Sequence, residues 1–444
     1  MAALTELAAL TEAGKIETAA ERPAVNMHCH TFFSFNAYGY SPAGLAWLAK
    51  QRGWQAAGIV DFDVLDAVDE FLDACEIVGV RGSAGIETRV FIPQFATREI
   101  NSPGEPGVYY HMGIGFTSGT APDPKGLERP LGSPAQTLVS MRARAERRNR
   151  DMLARLNAHL APIAVDYEAD VLPLTPGGNA TERHMLVAII RKAAEAMNDG
   201  PEAAPSHALL AFWADKLSTP EAQITAIIGD YAKFSNLVRG KLMKKGGVGY
   251  VVPTPESFPT VEEYHRFIVA CAALPTATWL DGTSAGEQAI DELLGLLIEQ
   301  GAVALNIIPD RNWNIADPAT RALKVRKLHQ IVEIAAQLDL PINVGTEMNA
   351  PDNKLVDDFD APEMAPVRQA FLDGAAFIYG HTVMQRARGL GYQSAWAKTH
   401  LPARKERNVF YQAVGQQVTP GRAGIARLAA LDPGLSPVAI LARL

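Results

Sequence analysis

The stretch Val25-Asn26-Met27-His28-Cys29-His30-Thr31 decides how the rest of the chain is read. An apolar run, Pro23 to Met27, leads into it and reads as a buried strand. On a strand, residues two apart point to the same face. His28 and His30 therefore aim two imidazoles at one point, while Cys29 faces away into packing. Imidazole is the commonest metal-binding side chain. A single His-x-His is a weak signal, so its weight depends on whether later strands also end in ligands.

Later strands do carry such residues. A helix from Ser41 to Arg52 is capped by Ser41, with Pro42 at its first position, and Gly53 closes it. The strand Gln55 to Val60 ends on Asp61-Phe62-Asp63, and a helix spans Val64 to Val78. Ala84 to Ile92 is a strand carrying Glu87, and Val108 to Phe116 is a strand carrying His111. Strands alternating with helices predict a parallel sheet or barrel, whose chemistry gathers at the carboxyl ends of the strands. Glu87 on an otherwise apolar strand points to function, because a buried unpaired carboxylate is costly. Asp61 fits a ligand or a helix cap equally well, and Asp63 reads as a cap.

The texture changes after Phe116. Thr117 to Ser133 is a Gly- and Pro-rich linker. Pro134 to Leu160 is a long basic helix whose arginines, Arg142, Arg144, Arg147, Arg148 and Arg150, read as a solvent face. Helices follow from Thr181 to Met197 and from His207 to Leu242, around a polar loop, Asn198 to Ser206. The α/β rhythm returns with strands at Gly249 to Val252, Ala277 to Leu280 before Asp281, Ala302 to Ile308, and Pro341 to Val344 before Gly345-Thr346-Glu347-Met348-Asn349. A last strand-like run, Ala375 to Tyr379, precedes His381. The expected divisions are an N-terminal helix (1–22), a first barrel half (23–133), a helical insertion or cap (134–247), a second barrel half (248–394) and a helical tail (395–444).

Composition is that of a globular protein: 444 residues, 48% hydrophobic and 20% charged, with a net charge of −8. The acidic balance argues against a nucleic-acid polymer or an anionic membrane as partner. Three scattered cysteines give no disulfide framework and no cysteine zinc motif. Met1 to Glu21 lacks the features of a signal peptide, and no stretch reaches the length of a membrane span. A cytoplasmic location is expected.

The ordered motifs resemble the polymerase and histidinol phosphatase (PHP) family of metal-dependent phosphoesterases. His28-x-His30-Thr31 fits its first motif, Gly85-Ile86-Glu87 its glutamate strand, and His111 its next histidine. Asp61-Phe62-Asp63 is similar to its Asp-His pair, with Phe62 in the histidine slot. Asp281 stands at the histidine of Ala-His-Pro, and Glu347 and Asn349 stand for the last Asp and His. The insertion resembles that of a small-molecule subgroup, with Thr181-Glu182-Arg183-His184 and Gly246 to Pro253 as matching segments.

The resemblance implies an α/β fold, a distorted TIM-like (β/α)7 barrel of the PHP type with an α-helical insertion domain. It implies metal ligands at His28, His30, Glu87, His111, Asp281 and Glu347. His381, after its strand-like run, reads as a further ligand that replaces the histidine lost at Asn349, or as a loop cap. Mixed imidazole and carboxylate ligation suits Zn, Mn or Fe. Because Phe62 and Asn349 cannot hold the family's third ion, one or two divalent ions are expected. Asp61, Arg183 and His184 are the catalytic candidates, and Arg183, His184 and Lys241 are candidates for holding the phosphate. The expected function is a phosphoesterase that hydrolyses a small phosphorylated metabolite or nucleotide. The alternatives are hydrolysis of a C–N or C–O bond and a non-catalytic metabolite-binding protein.

Overall fold

A computed structural model describes residues 1–121, 133–197, 204–432 and 434–444. Most of the expected linker, 117–133, and part of the loop 198–206 lie outside the described residues.

Seven strands form one sheet in chain order: β1 (Arg22–Cys29), β2 (Trp54–Phe62), β3 (Arg81–Phe91), β4 (Val108–Phe116), β5 (Leu274–Trp279), β6 (Ala304–Ile307) and β7 (Ile342–Val344). Beyond the end of β7 the ring closes on β1. The Glu347 amide donates to His28 O and the His30 amide donates to Glu347 O, at 2.8 and 2.7 Å. The result is an α/β barrel, nearly closed, with helices around it. Strand centres are continuous apolar runs such as Ala56-Ala57-Gly58-Ile59-Val60, as expected of strands buried on both faces.

One strand departs from the expected parallel pattern. β4 runs antiparallel to both β3 and β5. Its register sets Glu87 opposite Met112 and Thr88 opposite His111. Directly opposed residues share a face, so Met112 shares the face of Glu87 and His111 takes the other.

The end of the barrel remote from the histidines is sealed by the helix Arg368–Arg388. Its middle, Ala375 to Tyr379, was expected as a strand. The run is apolar on every side because the whole turn is buried, and a helix buried all round loses its amphipathic period. Close backbone approach fixes it: a Cβ on Gly374 would stand 1.9 Å from Ile342 O, and one on Gly380 would stand 1.8 Å from Tyr411 O. The segment Gly249 to Val252, also expected as a strand, is turn and irregular backbone leading to the helix Val261–Ala270.

Between β4 and β5 the insertion folds into helices with an apolar cluster of its own, centred on Leu156, Met185, Trp213 and Val238. The long helix Pro134–Leu160 serves both bodies. Met141 joins the barrel core, while Met152 to Leu160 join the insertion core. Asn149 Nδ2 donates to Ala180 O at 2.6 Å and ties that helix to the start of the helix Glu182–Ala196. The insertion thereby stands over the barrel mouth.

Candidate metal centre and cavity

His28, His30 and Glu87 converge at the mouth of the barrel. One ligand atom of each lies within 4.8 Å of the others. Glu87 Oε2 is 3.5 Å from His28 Nε2 and 3.4 Å from His30 Nε2. All three residues are at most 4% exposed, and these same three atoms have no hydrogen-bond partner. Buried polar atoms are nearly always bonded, so three orphans facing one point form a cradle for a cation.

The bonds behind the rings fix which nitrogen faces that point. Asn343 Nδ2 donates to Met27 O and to Asn306 Oδ1. Asn306 Oδ1 is therefore an acceptor, and His28 Nδ1, 3.2 Å away, must donate to it. On the other side the Ser34 hydroxyl donates to Asp61 Oδ1 at 2.6 Å, so it can only accept from His30 Nδ1 at 3.0 Å. Each imidazole carries a hydrogen on Nδ1 and turns Nε2 inward, the orientation that outer hydrogen bonds impose on metal-binding histidines. Asp61 also accepts the Thr31 amide and hydroxyl. It acts as the anchor of this relay and lies behind His30, outside the catalytic group it was expected to join.

Charge at the cradle is set by Glu87. Burial opposes ionisation of both Glu87 and His28. The histidines nevertheless hold the Glu87 carboxyl down to about 2, and Glu87 holds His28 above its ordinary value. The pocket thus calls for positive charge at the Nε2 side. Phe62 stacks on His30 with ring centroids 4.3 Å apart and closes that flank with a side chain that cannot bind metal.

Other expected ligands point elsewhere. His111, on the outer face of β4, bonds His265 of the helix Val261–Ala270. Asp281 is bound by Lys324 and Thr283, and its neighbour Leu280 borders the cavity in its place. His381 lies in the sealing helix at the far end, where it bonds Gly115 O and the Tyr392 amide. Glu347 does reach the mouth, at φ +65°, but its carboxylate is held by Arg311. The placements of His111, Asp281 and His381 correct the expected ligand set, and the antiparallel β4 and the helical 375–379 segment account for two of them.

Over the cradle lies a cavity of about 700 Å³, walled by the barrel mouth and the insertion. His184 does not line it. That ring is buried as part of a capping box with Thr181, and burial brings it down to about 4. Lys241 is exposed and also misses the cavity, which Lys244 and Lys245 line instead. Arg183 does line it, and so do residues that were overlooked. Arg148 turns in from the basic helix, stacks its guanidinium 4.5 Å from the Phe258 ring centroid and donates to Ser257 O. Arg89 comes from β3 and pairs with Glu105 at 3.2 Å, while Arg239 and Lys244 both pair with Glu182. Asp63 caps no helix. It accepts the Thr88 hydroxyl and borders the cavity with no ion-pair partner.

No family model and no curated protein sequence matches the chain. Among solved structures, it is similar to an amidohydrolase from Chromobacterium violaceum with bound sulfate and no metal. That likeness is at 17% identity and a TM-score of 0.47, covering 78% of this chain and 96% of that one. It is also similar to a protein from Bifidobacterium adolescentis described as a metal-dependent phosphoesterase, at 18% identity and a TM-score of 0.46, covering 80% and 98%. At such distances the functional argument rests on the side chains themselves.

Proposed function

We propose that this protein is a metal-dependent hydrolase, and that it is a phosphoesterase acting on a small phosphorylated metabolite or nucleotide. The observation that carries the reading is the convergence of three buried, unpartnered ligand atoms beneath a cavity rich in arginine and lysine. The donor set, two imidazole nitrogens and one carboxylate, suits zinc, manganese or iron. Such an ion would supply Lewis-acid activation of water and of the oxygen on the scissile bond.

The chain's own groups do the rest. Asn306 and the Ser34–Asp61 pair hold His28 and His30 in the ligating tautomer. Arginine forks match phosphate oxygens, so Arg183 and its basic neighbours orient an anionic substrate over the cradle. Asp63 has no cation within ion-pair distance among the described residues, and burial pushes it above its ordinary value although Arg148 and Arg89 act the other way. This suits it to hand a proton to the leaving oxygen.

The expected test result, with a panel of phosphorylated and non-phosphorylated metabolites, is that wild type hydrolyses the phosphorylated members and His30→Ala loses both bound metal and that hydrolysis. Turnover of the non-phosphorylated members of that panel alone would replace phosphoesterase by C–N or C–O hydrolysis. A folded His30→Ala protein with undiminished phosphatase activity would overturn the reading.

A further inference from the structure

Two buried side chains of the insertion, Asn179 and His184, reach the groups that hold His30. Asn179 Nδ2 donates to Phe62 O at 2.8 Å. The other end of that peptide bond faces the centre, since the Asp63 amide donates to Glu87 O at 2.9 Å. The Phe62 ring itself is stacked on His30. Asn179 therefore pins the residue that covers one face of His30, through a peptide that is also tied to the strand of Glu87.

His184 bears on the segment that bonds the edge of the same ring. It meets Phe35 edge to face, with ring centroids 5.2 Å apart and planes at 86°. Phe35 directly follows Ser34, whose hydroxyl links His30 Nδ1 to Asp61. The Phe35 backbone is at φ +93°, a region that bulky residues rarely enter. Such a conformation persists where the surroundings over-determine it. Here the His184 ring holds the side chain, and the next residue, Asn36, donates from Nδ2 to His30 O at 2.7 Å. His184 is in turn fixed by the Thr181 amide, which donates to its Nδ1 at 3.1 Å, and Asn149 holds the adjoining Ala180 O.

We propose, building on the metal-centre reading of the cradle, that Asn179 and His184 are positioning residues through which the insertion sets the orientation of His30. The ligand atoms of the cradle all come from the barrel. The insertion supplies the brace behind one of them, from side chains that do not line the cavity. Its role thus extends beyond walling the substrate space to holding the ligand geometry.

The test uses the full chain and zinc, with affinity measured by competition against a chelator. Asn179→Ala and His184→Ala should each weaken zinc binding about two- to tenfold, the worth of one hydrogen bond or one edge-to-face ring pair. His184→Phe keeps a ring against Phe35 and should recover most of that loss. In a Ser34→Ala background His184→Ala should lose most of its effect, because its route passes through Ser34, while Asn179→Ala should keep its own. Tyr250→Phe breaks a different contact at the cavity wall, from its hydroxyl to Glu105, and should leave zinc affinity unchanged. An equal loss in Tyr250→Phe, or an undiminished His184→Ala effect without Ser34, would overturn the brace. A wild type that takes up no zinc would instead sink the metal-centre reading. The brace is then read in the metal-free chain from the ring-proton shifts of His30, which the stacked Phe62 ring displaces. Both alanine variants should move those shifts, and shifts identical to wild type would overturn the proposal.

Discussion

The Ser34 hydroxyl donates to Asp61 Oδ1 over 2.6 Å, and that single bond dictates the tautomer of His30. A hydroxyl has one hydrogen, so once it is given to Asp61 only its lone pairs remain for Nδ1. Ser34→Ala removes the constraint without touching a ligand atom. Metal affinity is expected to fall about 10- to 100-fold, the usual cost of losing an outer partner of a ligating histidine. Competition with a chromogenic chelator measures it, and an unchanged affinity would show that the relay does not orient His30.

Proton release should accompany metal uptake. In the free protein Glu87 holds His28 above its ordinary value, despite burial working the other way. A proton on Nε2 must leave before a metal can bind there. Affinity is therefore expected to rise with pH across the range above 6.5, and titrations in buffers of different ionisation enthalpy should report proton release. No proton release at any pH would contradict the assignment of His28 as a ligand.

Phe62 occupies the flank of His30 where another ligand would stand. Phe62→His is expected to raise the metal content per chain, or to tighten the first ion several-fold, when the purified variant is measured by elemental analysis. A variant indistinguishable from wild type on both counts would show that this flank is not open to the centre.

How much of this was readable beforehand depended on where each side chain's environment is decided. Glu87 was legible because an acid in an apolar strand has no bland explanation, and His28 and His30 were legible because strand alternation is local. His111 was misplaced because facing in a barrel depends on strand direction, and nothing within Val108 to Phe116 announces an antiparallel strand. His381 was misread because Ala375 to Tyr379 is apolar all round, a pattern that a buried helix and a buried strand share. Arg148 was taken for surface because the wall that buries it comes from residues far along the chain, Ser257 and Phe258.

The seal at the far end is a packing claim with a direct test. A Cβ on Gly415 would stand 1.8 Å from Ala376 O. Gly415→Ala must separate two helix backbones, so the expected destabilisation is at least about 1–3 kcal/mol, the range for overpacking. Urea denaturation of the variant measures this, and a midpoint equal to wild type would refute the close approach.

His381 supplies a pH signature independent of the metal. Burial brings it down to about 4, although Gly115 O favours its charged form. An unfolded histidine titrates near ~6.5. Because the folded value is the lower one, the unfolded chain binds more protons between these limits. The contribution of His381 to stability is therefore full above the upper limit and is lost as pH falls through the lower. His381→Gln should be less stable than wild type at pH 7.5, with the gap narrowing as pH falls toward the lower limit. A gap independent of pH, read from urea midpoints, would contradict the buried neutral state.

The central claim is that His28, His30 and Glu87 hold a divalent metal ion, and metal analysis of dialysed protein tests it most directly. Wild type should retain one ion per chain when equilibrated with zinc or manganese, and His30→Ala and Glu87→Gln should retain none while keeping their folded circular dichroism. Metal-free wild-type protein under those conditions, or the same ion content in both variants, would contradict it.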